Sequence, residues 1–262
     1  MKILVCIKQI LDPDSPLTLE KSGSEVIPAG KTPYRMNHFD EYTLEEAFLI
    51  RDAFPGVTVD AISVGPARVQ TTLRKALELG ADQGIHLRTA GDQLMPVETA
   101  AHLAGYVRDQ GYDLILTGAM AEDDMAAQVG PTLAELLDWA AVSFVIAEKL
   151  SPDLKSIYVE QESEGGLREA FSVDLPAVLS LQPGINRPRY PRLSQVLKAR
   201  NQHLTVVAVK EAVDRAVQEA SRRFLEPPRS AAGVILTGTP REKAARLWEI
   251  ITSKALEKRH EG

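Results

Sequence analysis

Cysteine is nearly absent: Cys6 is the single one in 262 residues. No disulfide can close within the chain, and no multi-cysteine zinc or iron–sulfur site can be built from it. That usage fits a reducing compartment. No apolar run approaches the ~18 residues of a membrane span. The opening stretch MKILVCIKQILDPD has a short apolar run broken by Lys8 and no small-residue cleavage site, so it does not read as a secretion signal. The expected location is the cytoplasm, or the mitochondrial matrix if a transit segment has been removed. Positive charge is not in excess either. Lys and Arg number 30 against 36 Asp and Glu, and the net charge of −6 gives no support to a nucleic-acid-binding role. The five histidines (His38, His86, His102, His203 and His260) are scattered, with no H-x-E or H-E-x-x-H grouping, so no metal site is expected. There is no G-x-S-x-G elbow, no G-x-G-x-x-G and no Walker A loop. Glu45-Glu46 and Asp123-Asp124 are adjacent in sequence, which makes their side chains diverge on a helix rather than converge on a substrate.

What is present is an alternation of strand and helix patterns. Met1 to Ile7 is a β-rich apolar run that reads as a fully buried strand. Residues 9 to 36 are polar and turn-rich, with a small hairpin suggested by Leu17–Glu20 and Glu25–Ile27 around Lys21-Ser22-Gly23-Ser24. Asn37 and Asp40 offer an N-cap for a helix to about Phe54, with Leu44, Ala47, Phe48 and Phe54 on one face. Val57–Val64 is a strand. Gly65-Pro66 then opens a helix with Val69, Leu73, Ala76 and Leu77 on one face, stopped by Gly80. A strand at Gly84–Leu87, a helix over Val97–Val107 and a strand at Leu114–Thr117 follow. The β-α-β-α-β-α-β order predicts an α/β, Rossmann-like parallel sheet with helices on both faces. Further strands are expected at Ala141–Glu148, Ser156–Glu162, Arg168–Val173 and Ala177–Leu181. Residues 1–200 are thus read as the α/β domain and 201–262 as a C-terminal extension. The extension reads as a helix near Val209–Phe224, a strand-like Gly233–Leu236 and a final helix opened by Pro240.

Ligands in such sheets lie beyond the carboxyl ends of the strands. The places to look are Cys6–Asp12, Val64–Pro66 and Gly118–Gly130. The segment 118–130 follows a strand and opens a helix, and its small residues would let backbone N–H groups approach a phosphate. Its acidic trio Glu122-Asp123-Asp124 repels phosphate, so Asp123 is read as a helix cap or a ribose contact. The alternative is an ordinary βα loop. Cys6 reads as a small buried hydrophobe rather than a reactive thiol. Asn37 is either a helix cap or a polar group near an adenine. A Pro- and Arg-rich loop, Gly184 to Lys198, sets the apolar Leu193 among Arg187, Arg189 and Arg192. It suits partner anchoring with a charged rim, or is a solvated loop whose leucine begins a core-facing helix.

These segments, in order, resemble the electron transfer flavoprotein beta family along nearly the whole chain. The resemblance is carried by Val5–Gln9, Met36-Asn37, Asp40-Glu41-Tyr42 with Leu44–Ala47, Val64–Ala67 and Ala76–Asp82. It continues through Gln128–Pro131, Gly165–Leu167, Leu175–Val178, Asn186 with Pro188-Arg189-Tyr190, Pro227-Pro228-Arg229 and Ala232–Val234. The resemblance implies an electron carrier subunit, its redox chemistry on bound FAD, that pairs with an alpha subunit and wraps a C-terminal arm around it. Alpha holds most of the working FAD. Beta holds AMP, or in some members a second FAD, at positions matching Cys6, Asn37, Val64, Gly118, Asp123, Gln128, Val129 and Gly130. Docking of a flavin dehydrogenase of the acyl-CoA type would fall to Leu193 with Arg189 and Tyr190. Lys198 matches a position methylated in some members, and Glu162 one that steers the flavin domain. Electrons would leave to a quinone oxidoreductase or another acceptor. Ala119-Met120 and Asp124-Met125-Ala126 depart from the family's usual residues there, which leaves AMP as the expectation and a second FAD as the alternative. A universal-stress-protein-like adenine-nucleotide-binding homodimer shares the α/β core but does not account for the chain beyond residue 200.

Overall fold

The computed structural model describes residues 1–20, 26–28, 33–91, 94–209, 225 and 233–260. The chain divides into two compact units, Met1–Arg222 and Arg223–Gly262.

The first unit is built around strand β1 (Lys2–Cys6). A short β2 (Gln9–Leu11), the hairpin β3 (Leu17–Leu19) and β4 (Val26–Pro28), and β5 (Tyr34–Met36) make the expected excursion. Helix α1 (His38–Ala53), β6 (Thr58–Gly65), a 3-10 turn (Ala67–Val69), α2 (Gln70–Leu79), β7 (Gln83–Arg88), α3 (Pro96–Val107) and β8 (Leu114–Gly118) complete the alternation. Then come α4 (Val129–Leu137), β9 (Ala140–Leu150), β10 (Ser156–Glu162), β11 (Arg168–Asp174), β12 (Ala177–Leu181), α5 (Leu193–Asn201) and β13 (Thr205–Ala208). Nine of these strands, β1 and β6 to β13, form one sheet in the order β11-β10-β9-β12-β8-β1-β6-β7-β13, and β2 with β5 and β3 with β4 form two small separate ones. The large sheet is parallel from β9 to β13, and β10 and β11 extend one edge antiparallel.

Strand β1 reads as an unbroken apolar run because it is covered on both faces. Ile3 and Val5 pack with Leu44 and Phe48 of α1 and Leu73 of α2. Leu4 and Cys6, alternating to the other side, pack with Leu103 and Ala104 of α3 and Leu133 of α4. Helix α2 ends where Gly80 takes φ +126° and returns its N–H to the carbonyls of Ala76 and Leu77.

The sheet body extends past residue 200, beyond the point where the sequence pattern places the start of the extension. Thr205–Ala208 pairs in parallel with Ile85–Arg88 as the edge strand, because Leu204 and Val207 have apolar neighbours to cover. In the second unit, Gly233–Leu236 forms no strand among the described residues, and α6 (Pro240–His260) starts at Pro240 as expected. The helix expected near Val209–Phe224 and the Pro227-Pro228-Arg229 segment lie outside the described residues, apart from Val209 itself. No described helix is long and apolar enough to cross a membrane.

Candidate functional site

Strand order reverses at β1. The chain runs outward through β6 and β7, with α1 and α2 on one face, then returns to place β8 on the other side of β1 with α3 and α4 on the opposite face. Loops leaving β1 and β8 therefore diverge and open a crevice at their carboxyl ends. A cleft of about 980 Å³, counting the part open to solvent, lies there. Its walls bring together Cys6, Asn37, Val64, Gly118, Gln128, Val129 and Gly130 from five separate stretches of chain.

Two glycines fix the geometry by close approach. A Cβ on Gly118 would strike the Asp40 carboxylate and lie 2.7 Å from Phe39 Cβ, so Gly118 lets β8 pack against the first turn of α1. A Cβ on Gly130 would strike Ser180 Oγ and lie 2.8 Å from Thr117 Oγ1, so Gly130 lets α4 begin directly against β8 and β12. The first turn of α4 carries no side-chain cap, and Val129 and Gly130 line the cleft. Such a helix end, with its free N–H groups and positive dipole, suits an anion. Before it, Met125 (φ 48°) and Ala127 (φ 53°) take left-handed backbone, a conformation that costs non-glycine residues roughly 1–2 kcal/mol each. On the β6 side, His86 Nε2 donates to Gly65 O at 2.8 Å, since a carbonyl can only accept, and Nδ1 accepts from Gln70 at 3.2 Å. That buried imidazole holds the Val64–Pro66 turn in place.

The ionisable groups around the cleft are committed to the fold. Asp40 is 4 % exposed and accepts the backbone N–H of Lys8 at 2.7 Å and that of Gly118. Burial pushes its carboxyl up to about 7, against the pull of those donors and of Asn37. Burial, and then the charge of Asp40, push the Cys6 thiol well up, so it stays protonated. Burial works against the Lys8 ammonium, but Asp123 at 2.7 Å and Asp124 at 3.0 Å outweigh it and its pKa is raised. Glu122 accepts from Arg35 at 3.0 Å and caps α1 by accepting the His38 N–H at 2.9 Å. On the far wall, Arg68 donates to Gln9 Oε1 at 2.7 Å and lies over the Tyr34 ring.

Two expectations change. Asn37 stands at the N-cap position but makes no capping bond; its amide donates to Met120 O at 3.0 Å and accepts from Glu122 N–H at 3.1 Å, tying the loop after β8 to α1. Asp123 neither caps α4 nor lines the cleft, because Lys8 takes its carboxylate. Sequence reasoning does not single out Lys8 and Asp40 as site residues. Their partners lie 115 and 32 residues away along the chain, so no local pattern announces them.

The second set of candidate residues lies apart from the cleft. Tyr190 and Leu193 are 91 % and 74 % exposed, and Lys198 is exposed on α5. Arg189 is not a free rim charge. It is held by Glu45 in a two-pronged pair at 2.8 and 3.0 Å and by Asp52 at 2.9 Å, bracing the loop on α1. Glu162 is exposed at the end of β10, opposite Arg168.

Fold and cleft together define a class: an open, doubly wound α/β protein with a ligand crevice at the reversal of strand order. Comparison with known proteins narrows it. Residues 26–212 match the family model described as electron transfer flavoprotein domain. The chain is 33% identical over 254 residues to the mouse electron transfer flavoprotein subunit beta, covering 95% of this chain and 98% of that one. It is 34% identical over 240 residues to the mitochondrial subunit beta of Arabidopsis thaliana (90% and 94% covered). It is 31% identical over 261 residues to the subunit beta of Bacillus subtilis (97% and 99% covered). The chain belongs to the electron transfer flavoprotein beta subunit family, and is an electron carrier subunit by that membership.

Proposed function

We propose that this chain is the beta half of a heterodimer whose alpha half carries most of a working FAD, and that the cleft beneath the loop after β8 holds AMP. The supporting observation is the convergence of Cys6, Asn37, Val64, Gly118 and the start of α4 on one crevice. The residues fit an adenine nucleotide. Val64, Val69 and Leu103 give an apolar wall for a base, and the uncapped start of α4 suits a phosphate. A bound FAD accepts and returns electrons; the chain's own groups bind, orient and seal. Lys8, Asp123 and Asp124 fasten the loop across the mouth. Residues beyond β13 would wrap the alpha subunit.

The exposed Leu193 would enter an apolar pocket of a flavin dehydrogenase, with Arg192 at the rim and Arg189 bracing the loop from behind. Electrons would pass on to a quinone oxidoreductase or another acceptor, and Glu162 would help place the flavin-bearing domain. Co-expression with the neighbouring gene should yield a yellow heterodimer. Mass measurement of the nucleotide released on denaturation should find FAD and AMP in equal amounts. FAD alone, at two per heterodimer, would replace AMP by a second flavin, and a colourless homodimer would overturn the proposal. Leu193→Ala should slow dehydrogenase-driven reduction by about tenfold, the value of one buried anchor of ~1–2 kcal/mol, with FAD content unchanged. Equal rates in variant and parent would rule out the docking role.

A further inference from the structure

A second group of acids is buried on the α1 face of the sheet, outside the cleft. Glu45 and Glu46 are 6 % and 7 % exposed. Glu45 is neutralised by Arg189. Glu46 accepts from Asn186 Nδ2 at 2.6 Å, and the same amide nitrogen donates to Tyr42 O at 2.9 Å. Both partners are acceptors, so the amide cannot flip, and Asn186 Oδ1 is left buried without a partner. Within hydrogen-bonding reach of Glu46 stands Glu148 of β9, whose Oε2 is also buried and unpartnered. Two ionised carboxylates can only accept, so neither satisfies the other. A single proton resolves this. It makes Glu148 a donor, gives Glu46 a second bond and removes the repulsion.

We infer that Glu148 is a positioning residue for the exposed loop: a proton it shares with Glu46 keeps the Asn186 anchor closed, and loss of that proton loosens the segment that presents Tyr190 and Leu193. Burial, and then Glu46, push the Glu148 carboxyl up to about 8, so the change falls near neutral pH. The raised value means the folded anchor binds the proton more tightly than the released one. Its stability is therefore greatest below the usual carboxylate range and falls as pH rises through about 8. The other charged groups of the patch are paired: Glu45 and Asp52 with Arg189, and Arg51 with Asp82. The hydrogen bond to Glu45, and further contacts to Asp52, raise the Arg189 pKa and keep its charge. Strand β10 opposes Glu148 with the uncharged Val159.

Amide hydrogen exchange over residues 184–190 of the full chain, measured at several pH values beside Glu148→Gln, tests this. The glutamine keeps a donor toward Glu46 at every pH, and intrinsic exchange chemistry cancels in the ratio of parent to variant. The ratio should climb from about pH 5 upward, by up to about one power of ten per pH unit, and level off above about pH 8, where both closed and released states have lost the proton. A flat ratio overturns the inference, as does an equal rise in the variant. Should Glu148→Gln not fold, Glu46→Gln supplies the carboxamide donor from the other side and is read the same way. Exchange is measured without dehydrogenase or added nucleotide, so failure here leaves the carrier proposal standing.

Discussion

Gly130 marks the closest approach of α4 to the sheet, and Gly130→Ala should be costly although alanine is the better helix former. The new methyl would strike Ser180 Oγ and crowd Thr117 Oγ1 at 2.8 Å. These hydroxyls bond each other at 2.9 Å and are 3 % and 4 % exposed, so neither can rotate away without leaving a buried hydroxyl unpaired. Overpacking by one methyl costs roughly 1–3 kcal/mol, and breaking the hydroxyl pair adds about 1–2 kcal/mol. Alanine's helix propensity returns only ~1 kcal/mol. The net loss is about 1–4 kcal/mol, a fall in melting temperature of roughly 3–15 °C for a chain this size. Thermal unfolding followed by circular dichroism measures it, and the nucleotide retained on purification should fall in parallel as the start of α4 is pushed outward. The mechanism has a sharper check. Ser180→Ala alone should cost ~1 kcal/mol, yet in the double variant it removes the atom the methyl strikes. The two changes should therefore be less than additive by about 1–2 kcal/mol. Strictly additive losses, or a Gly130→Ala protein that melts with the parent, would refute the packing account.

Gly105 gives the opposite case. It lies inside α3 with ordinary helical backbone, and nothing stands within 4 Å of where an added methyl would sit. Gly105→Ala should therefore stabilise the fold by about 0.5–1 kcal/mol in urea titration. Asp40→Asn should destabilise by roughly 1–3 kcal/mol at pH 5, because an amide NH₂ then faces a backbone N–H. Burial raises the Asp40 pKa to about 7, so the parent itself loses stability between the ordinary carboxylate range and pH 7 while the asparagine variant does not. The gap between the two proteins should narrow from pH 5 to pH 8; a gap that widens would mean that the folded state favours the carboxylate.

The sheet and the crevice are legible in the sequence because their signals are local. An apolar run of five near the start (residues 3–7), Gly65-Pro66 at a strand end and Gly80 at a helix end each announce themselves within a few residues. The βαβ alternation gives a parallel sheet with right-handed crossovers. Three things are not legible. Thr205–Ala208 alternates too briefly to be told from a linker, and only the free edge of β7 makes it a strand. The ion pairs of Lys8 and Arg189 span 115 and 144 residues. The adjacency of Glu45 and Glu46 implies that their side chains diverge. That holds for this pair, though not for Asp123-Asp124, which lie in a turn and both reach Lys8; and adjacency alone conceals that the divergence sends Glu45 to Arg189 and Glu46 toward Glu148.

Those long-range pairs bear on how such a crevice can work. A site that moves protons needs at least one group free to change state against its ligand. Here the Cys6 thiol is held protonated by burial, both Asp40 oxygens serve backbone N–H groups, and Lys8 is shared between two aspartates. Each is already engaged in joining β1, α1 and the loop after β8. What the crevice offers a ligand includes backbone, an apolar wall, a helix end and the neutral side chains of Thr99 and Gln128, which are means of holding. Under the proposed function, the exposed leucine and tyrosine on a braced loop would be means of being held by another protein. A carrier subunit working as proposed beside a bound flavin would need both, because electron transfer depends on where the flavin sits.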